Sequence, residues 1–120
     1  QVGDQDGPYW FARLFEPADI TMVPNGLFAI VTDRRNDRMK VVTLGGGLEG
    51  YTYSLVGSGE KGFLVGNASH AEFDNPYSSA VLTRPDGSIS LVIADTGNQR
   101  IREMHFEDVS DTCACNAGFI

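Results

Sequence analysis

Basic residues are scarce in this chain of 120 residues: nine Lys and Arg stand against sixteen Asp and Glu, which gives a net charge of −7. A surface of that charge repels phosphate backbones, so nucleic-acid partners are not expected. Long apolar runs are missing too. None approaches the roughly 18 residues of a membrane-spanning helix, so membrane insertion is not expected. The chain begins at Gln1 with no charged and apolar leader, so we expect a processed product or part of a longer polypeptide.

Helical periodicity is also absent, because no stretch keeps apolar residues at helical spacing over three turns. Instead, 14 Gly and 5 Pro separate short runs that are rich in β-branched and aromatic residues. These runs predict strands at residues 18–24, 27–33, 38–44, 51–56, 77–83, 88–95 and 100–106. The composition, with 42% hydrophobic residues, is that of a globular domain. The sequence therefore predicts an all-β fold.

The chain contains an internal repeat. Four residues of its first part have a match 59 positions later: Gly7 with Gly66, Ala12 with Ala71, Leu14 with Phe73, and Pro17 with Pro76. Farther along the offset grows to 61 and then 62, as in Gly26 with Gly87, Asp33 with Asp95, Asn36 with Asn98, and Arg38 with Arg100. Small insertions at turns explain this growth. Two copies of one structural unit are therefore expected.

The second copy carries the more specific motif. It reads Ala-Asp-Thr-Gly-Asn-Gln-Arg-Ile-Arg at residues 94–102, after Gly-Ser-Gly-Glu-Lys-Gly-Phe at 57–63 and Ala-Glu-Phe-Asp-Asn-Pro-Tyr at 71–77. This pattern resembles an NHL repeat, and the first copy resembles it more loosely. The resemblance covers residues 2–106. It implies two consecutive four-stranded antiparallel β-propeller blades, about residues 1–57 and 58–109, within a larger propeller. The outer strand of the second blade is expected to come from elsewhere.

Charged and amide residues flank a matching turn in each copy. They are Asp33, Asn36 and Arg38 in the first copy, and Asp95, Asn98 and Arg100 in the second. Each aspartate ends a strand and each arginine begins the next, so we expect their side chains to lie close together. The aspartate would accept hydrogen bonds from the turn, and Gly97 would supply a positive φ. We interpret these residues as structural contacts that hold the hairpins, a ligand or metal site being the alternative.

The two cysteines, Cys113 and Cys115, lie close together near the C-terminal end, and a disulfide between them is not expected at this spacing. Residues 112–119 read Thr-Cys-Ala-Cys-Asn-Ala-Gly-Phe, which resembles the start of an EGF-like or ephrin-receptor-like cysteine-rich repeat. We therefore expect residues 110–120 to begin such a module. The resemblance implies disulfides to cysteines elsewhere and an oxidising compartment. A pair of free or metal-binding thiols is the alternative. Asn67 begins an Asn-Ala-Ser sequon and is a candidate glycosylation site.

Signs of catalysis are weak. Among NHL propellers, the peptide-amidating lyases hold zinc with several histidines, whereas this chain has only His70 and His105. Asp4 and Asp6 lie in Gly-Asp-Gln-Asp-Gly at residues 3–7, part of a calcium-loop pattern without its later ligands. We therefore predict no catalytic residue, no metal and no cofactor.

The resemblances together imply a non-catalytic structural or interaction module of a secreted or cell-surface protein. Propeller blades beside cysteine-rich repeats suit extracellular filaments, including the flagellar hairs called mastigonemes. The expected partners are further propeller blades of the same polypeptide or copies of this chain, together with other extracellular proteins. Two alternatives stay open: a propeller that binds a protein or a glycan, and a fragment of a lyase-like enzyme whose histidines lie in other blades.

Overall fold

The computed structural model describes residues 2–24, 26–45, 47, 49–57, 59 and 72–105. Its strands are β1 (Pro17–Met22), β2 (Phe28–Asp33), β3 (Arg38–Thr43), β4 (Thr52–Val56), β5 (Ser78–Thr83), β6 (Ile89–Asp95) and β7 (Arg100–His105). They form two antiparallel sheets, one of four strands in the order β1-β2-β3-β4 and one of three in the order β5-β6-β7. The all-β prediction is confirmed. Within the described ranges, no helix has the length and apolar character needed to cross a bilayer.

The strand ends agree with the predicted ends to within two residues. The largest difference is at β1, which ends at Met22, because Val23 already belongs to the turn and accepts a hydrogen bond from the Gly26 N–H at 2.9 Å. Gly26 adopts a φ of 74°, the left-handed conformation that favours glycine. Two three-residue 3₁₀ turns, Arg34–Asn36 and Thr96–Asn98, join the second and third strands of each sheet.

Apolar residues from both sheets form one core. The first sheet supplies Ile30, Met39 and Val56, and the facing residues 72–105 supply Phe73, Leu91, Ile93 and Met104. Alternation along β2 places Val31 on the opposite face from Ile30. Val31 is also buried, with 7% of its surface exposed, but it lies outside this core and is covered on the far side of the first sheet.

Polar contacts tie the two sheets together along their first strands, β1 and β5. Asp19 Oδ2 accepts a hydrogen bond from the Ser79 N–H at 3.3 Å. Asp37 Oδ1 accepts one from the Asn75 N–H at 2.8 Å. Carboxylates of the first sheet therefore receive backbone donors from the residues that lead into β5 and form it.

The segment at residues 2–14 lies against the first sheet. The N–H groups of Gly7 and Thr52 each donate to the carbonyl of the other, at 2.9 and 2.8 Å, which places Gly7 beside β4. Gln5 and Arg13 exchange a similar pair of backbone hydrogen bonds. The segment is thus folded back on itself, and its residues reach the side chains of β3.

Truncating the core tests this packing. Ile93 is fully buried, so Ile93→Ala should lower the free energy of unfolding by about 2–5 kcal/mol, the usual cost of a large-to-small change in a core. Val2→Ala is the control, because Val2 is 68% exposed and should change stability by less than about 0.5 kcal/mol. Urea unfolding measures both. Equal effects for the two variants would contradict a core at Ile93.

Candidate functional site

Asp33 lies at the centre of a buried polar group in the first sheet. Its Oδ1 accepts a hydrogen bond from the Phe15 N–H at 2.8 Å, and its Oδ2 accepts one from Asn36 Nδ2 at 2.7 Å. Asn36 Nδ2 also donates to the Gly3 carbonyl at 2.6 Å. Asp33 itself is fully buried. We call Asp33, Asn36 and Lys40 the first aspartate centre.

Lys40 supplies the positive charge of this centre and is fully buried. Its Nζ lies 3.7 Å from Asp33 Oδ2, 2.8 Å from Asp4 Oδ1 and 3.3 Å from Asp6 Oδ1. It also donates to the Arg13 carbonyl at 3.3 Å. The Lys40 ammonium thus occupies the space between three carboxylates and fastens residues 2–14 to β3. Asp4 and Asp6, which the sequence placed in a partial calcium pattern, here surround a cation that belongs to the protein.

Asp95 forms the corresponding group in the second sheet. Its Oδ1 accepts the Asp74 N–H at 2.8 Å, and its Oδ2 accepts from Asn98 Nδ2 at 2.9 Å and from Arg102 Nη1 at 3.1 Å. Asp95 and Arg102 are both fully buried. We call Asp95, Asn98 and Arg102 the second aspartate centre.

Arg102 has two further partners. Its Nη1 donates to the Glu72 carbonyl, and its guanidinium lies over the Phe73 ring at 4.4 Å from the centroid. Burial lowers the pKa of the Arg102 guanidinium below its ordinary value, against the opposing effect of Asp95. An arginine pKa starts so high that the side chain stays protonated, and the pair is a buried ion pair.

The two centres match residue for residue. The backbone donors Phe15 and Asp74 are 59 positions apart, and Asp33 and Asp95 are 62 apart, which are the offsets found in the sequence. The carbonyls of Arg13 and Glu72, which face the two cations, also differ by 59. The repeat therefore extends from the sequence to individual hydrogen bonds.

Each aspartate contacts a cation other than the predicted arginine. Arg38 and Arg100 are the cross-strand neighbours of Asp33 and Asp95 in the backbone register. The ion pairs recorded for those aspartates come from residues two positions later, Lys40 and Arg102. Residues two apart share a face of a strand, and this spacing was the signal that could have found them.

Arg38 contacts one side chain of β4 and one of the segment at residues 2–14. Its Nη1 donates to Ser54 Oγ at 2.9 Å, and its Nη2 lies 3.4 Å from Asp4 Oδ2. Arg100 is exposed at the start of β7. Asn36 and Asn98 do reach their aspartates, as described above.

The expected role of Gly97 is wrong in one respect. The left-handed residue of this turn is Gln99, with a φ of 53°, and the equivalent residue in the first turn is Asp37, with a φ of 55°. Glycine is required at position 97 for lack of space, because a Cβ there would overlap the side chain and carbonyl of Asp74.

Among the described residues, no group of three or more His, Cys, Asp or Glu side chains is placed to hold a metal ion. Asn67, His70, Cys113 and Cys115 lie outside the described residues, so their predicted roles remain predictions. Of His105, only the backbone in β7 is described.

Breaking the second ion pair should be costly. Asp95→Asn leaves a buried guanidinium without its counter-charge, and we expect a loss of about 3–5 kcal/mol in the free energy of unfolding, measured in urea. The double variant Asp95→Asn with Arg102→Met should lose less than the sum of the single variants, because it removes the stranded charge. Glu49→Gln makes the same charge change at an exposed residue and should stay within about 0.5 kcal/mol. A loss no larger than the control's would show that the centre contributes nothing.

Asp33 should give the fold a distinctive pH dependence. Burial raises its pKa above the ordinary 3.8, against the lowering effects of the Phe15 N–H, Asn36 and Lys40. The folded protein then holds this proton more tightly than the unfolded chain, so the contribution is full below pH 3.8 and is lost as the pH rises through the folded pKa. The stability difference between wild type and Asp33→Asn, measured by urea unfolding across that range, should fall with rising pH.

Asp86 provides the opposite control. Hydrogen bonds from Ser88 lower the pKa of this exposed carboxylate, so its contribution is lost as the pH falls. The difference between wild type and Asp86→Asn should therefore rise with pH over the acid range. The same slope for both aspartates would contradict the assignment at Asp33.

Comparison with known proteins does not identify a family. The sequence matches no protein-family model, and no curated protein is similar to it. The NHL and cysteine-rich resemblances therefore rest on the motif residues themselves.

Proposed function

We propose that this chain is a non-catalytic structural or interaction module of a secreted or cell-surface protein, built from repeated sheets of the NHL propeller type. The observation that carries the proposal is the duplication of the aspartate centre. A carboxylate, an amide and a cation meet in the same way in both sheets, at matched positions of the sequence. A catalytic site rarely occurs twice in one short chain, whereas a packing device recurs with every repeat.

The partners within each centre favour a structural role. Both aspartates accept hydrogen bonds from a backbone N–H and an asparagine, and both form an ion pair with a cation of the chain itself. Such buried polar networks rigidify a fold when every member is satisfied. A catalytic carboxylate, in contrast, needs to face a space that substrate can enter. The described groove of the first sheet is lined mostly by apolar side chains, with Asp19 as its charged member.

The relation between the sheets supports a propeller. The first strands of the two units, β1 and β5, lie side by side, while β4 lies at the far edge of the first sheet. Propeller blades are arranged in this way around a central axis, with sheets packed face to face. The core between Ile30 and Ile93 is then a contact between neighbouring blades.

An exposed aromatic turn supports the interaction role. Tyr9 and Trp10 are 75% and 70% exposed, and their rings meet edge to face at 5.1 Å. The turn beneath them is held by hydrogen bonds from the Phe11 and Ala12 N–H groups to the Pro8 carbonyl, both at 2.8 Å. Tyr and Trp held on a rigid backbone are favourable anchors for a binding partner.

The extracellular assignment comes from the sequence, through Asn67 and the cysteine pair, and it can be tested directly. When the protein is expressed in its natural sequence context through a secretory pathway, we expect Cys113 and Cys115 to be oxidised to disulfides with cysteines outside this chain, and Asn67 to carry a glycan. Alkylation of the native, unreduced protein followed by peptide mass spectrometry measures thiol oxidation. Asn67→Gln should remove the mass added by the glycan.

The control is Asn116→Gln, which alters an asparagine outside any sequon. It should leave the glycan mass unchanged. Quantitative alkylation of both thiols, together with an unmodified Asn67, would remove the basis for the secreted module. That result would leave the structural role of the aspartate centres untouched.

A further inference from the structure

Equivalent positions of the two sheets differ in how much solvent they meet. Pro76 is fully buried, whereas its counterpart Pro17 is exposed. Val81 packs against the core, whereas its counterpart Met22 is 51% exposed. Ile20, on the same face as Met22, is 62% exposed. Along β1, the first sheet therefore presents to solvent part of the face that the second sheet buries.

This open face has the shape of a docking surface. A groove of about 480 Å³ runs along β1 on that side, lined by Leu14, Pro17, Ala18, Asp19, Ile20 and Val31. The residues equivalent to this groove lining in the second unit include Phe73 and Ile93, and the first sheet packs on them. The contact inside the chain therefore shows which kind of surface covers the equivalent face of the second sheet: the face of the first sheet that carries Ile30.

The outer face of the second sheet is the matching surface. Leu91 and Ile93 point into the core, so Val92 and Ala94 point away from the first sheet. Val92 is the counterpart of Ile30, 62 positions earlier, which packs on the second sheet. Leu82, on the same outer face, is 36% exposed.

We propose that the open face of the first sheet binds the outer face of the second sheet of another copy of this chain, head to tail. The proposal rests on the proposed structural function and names the partner. It repeats, between copies, the sheet contact that already exists inside each copy. A contact between two different surfaces of this kind forms a ring when its rotation closes and a filament when it does not.

The polar contacts of the internal interface also have counterparts. Inside the chain, Asp37 accepts from the Asn75 N–H and Asp19 accepts from the Ser79 N–H. At the junction between copies, the donors become the N–H groups of Glu16 and Ile20. Glu16 adopts a φ of 51° and Asn75 one of 48°, so the two backbones turn alike.

The acceptors at that junction become Gln99 and Ser78, at offsets of 62 and 59 from Asp37 and Asp19. An amide oxygen and a hydroxyl oxygen can both accept a hydrogen bond from a backbone N–H. Neither carries a charge. The contact between copies can therefore form equivalent hydrogen bonds. It does so without burying further carboxylates of two negatively charged chains.

Sedimentation velocity on the complete chain tests the proposal. The wild type should associate with rising concentration between about 1 and 100 µM, and Ile20→Asp should weaken this association at least tenfold. Tyr53→Asp is the matched control, because Tyr53 is 41% exposed and lies on β4, at the opposite edge of the first sheet from β1 and on the opposite face from Ile20. It should associate as the wild type does. Met22→Asp replaces Ile20→Asp if that variant does not fold, as judged by circular dichroism.

Mixing two variants tests the head-to-tail arrangement. Ile20→Asp blocks one face, and Leu82→Asp blocks the other, so each should remain monomeric alone. A mixture should form a dimer of one copy of each, because each copy keeps the face that its partner has lost. A mixture that stays monomeric would overturn the proposal.

A folded wild type that remains monomeric up to 100 µM would also overturn it, and would assign the open face to a different partner. Neither result bears on the oxidation of the cysteines or on the cost of Asp95→Asn. Failure of this proposal is therefore distinguishable from failure of the proposed function.

Discussion

A carboxylate removed from water at the end of a strand determines much of this structure. Burying an isolated charge costs several kcal/mol, so Asp33 and Asp95 are tolerated only where donors surround them. Those donors come from three separate segments: the chain before the first strand, the 3₁₀ turn, and the strand that follows it. One side chain thereby fixes a turn, a strand register and the approach of the preceding segment. Local hydrogen bonds of the turn alone could not do this.

The two copies balance the buried carboxylate in different ways. Arg102 donates to both Asp95 and the Glu72 carbonyl, and its flat guanidinium also stacks on Phe73. Lys40 is a compact charge, and the residue equivalent to Phe73 is a leucine, so no ring is available to it there. Asp4 and Asp6 supply the missing stabilisation. Residues 2–14 are therefore held by charge in the first sheet.

Local patterns in the sequence were enough to predict the strands and the pairing of copies. Alternating apolar residues, turn residues and the offsets of 59 and 62 identified the sheets to within two residues at each end. Lys40 and Arg102 were not predicted as partners of the aspartates: the two-residue spacing makes them candidates beside Arg38 and Arg100, and packing decides how closely each approaches. The contact of Asp37 with Asn75 joins distant parts of the chain, and no local pattern encodes it. The NHL blades and the extracellular setting remain proposals.

The hydrogen bonds between the sheets also distinguish a head-to-tail contact between copies from a symmetric one. In the two hydrogen bonds described between the units, the backbone donors are Asn75 and Ser79, and the oxygen acceptors are Asp37 and Asp19. Two open faces of the first sheet brought together would oppose Glu16 and Ile20 N–H groups with N–H groups. Each buried donor without an acceptor would cost about 1–3 kcal/mol. Head-to-tail contact places Gln99 and Ser78 oxygens there instead. The polarity of the internal contact therefore favours head-to-tail assembly over a symmetric dimer.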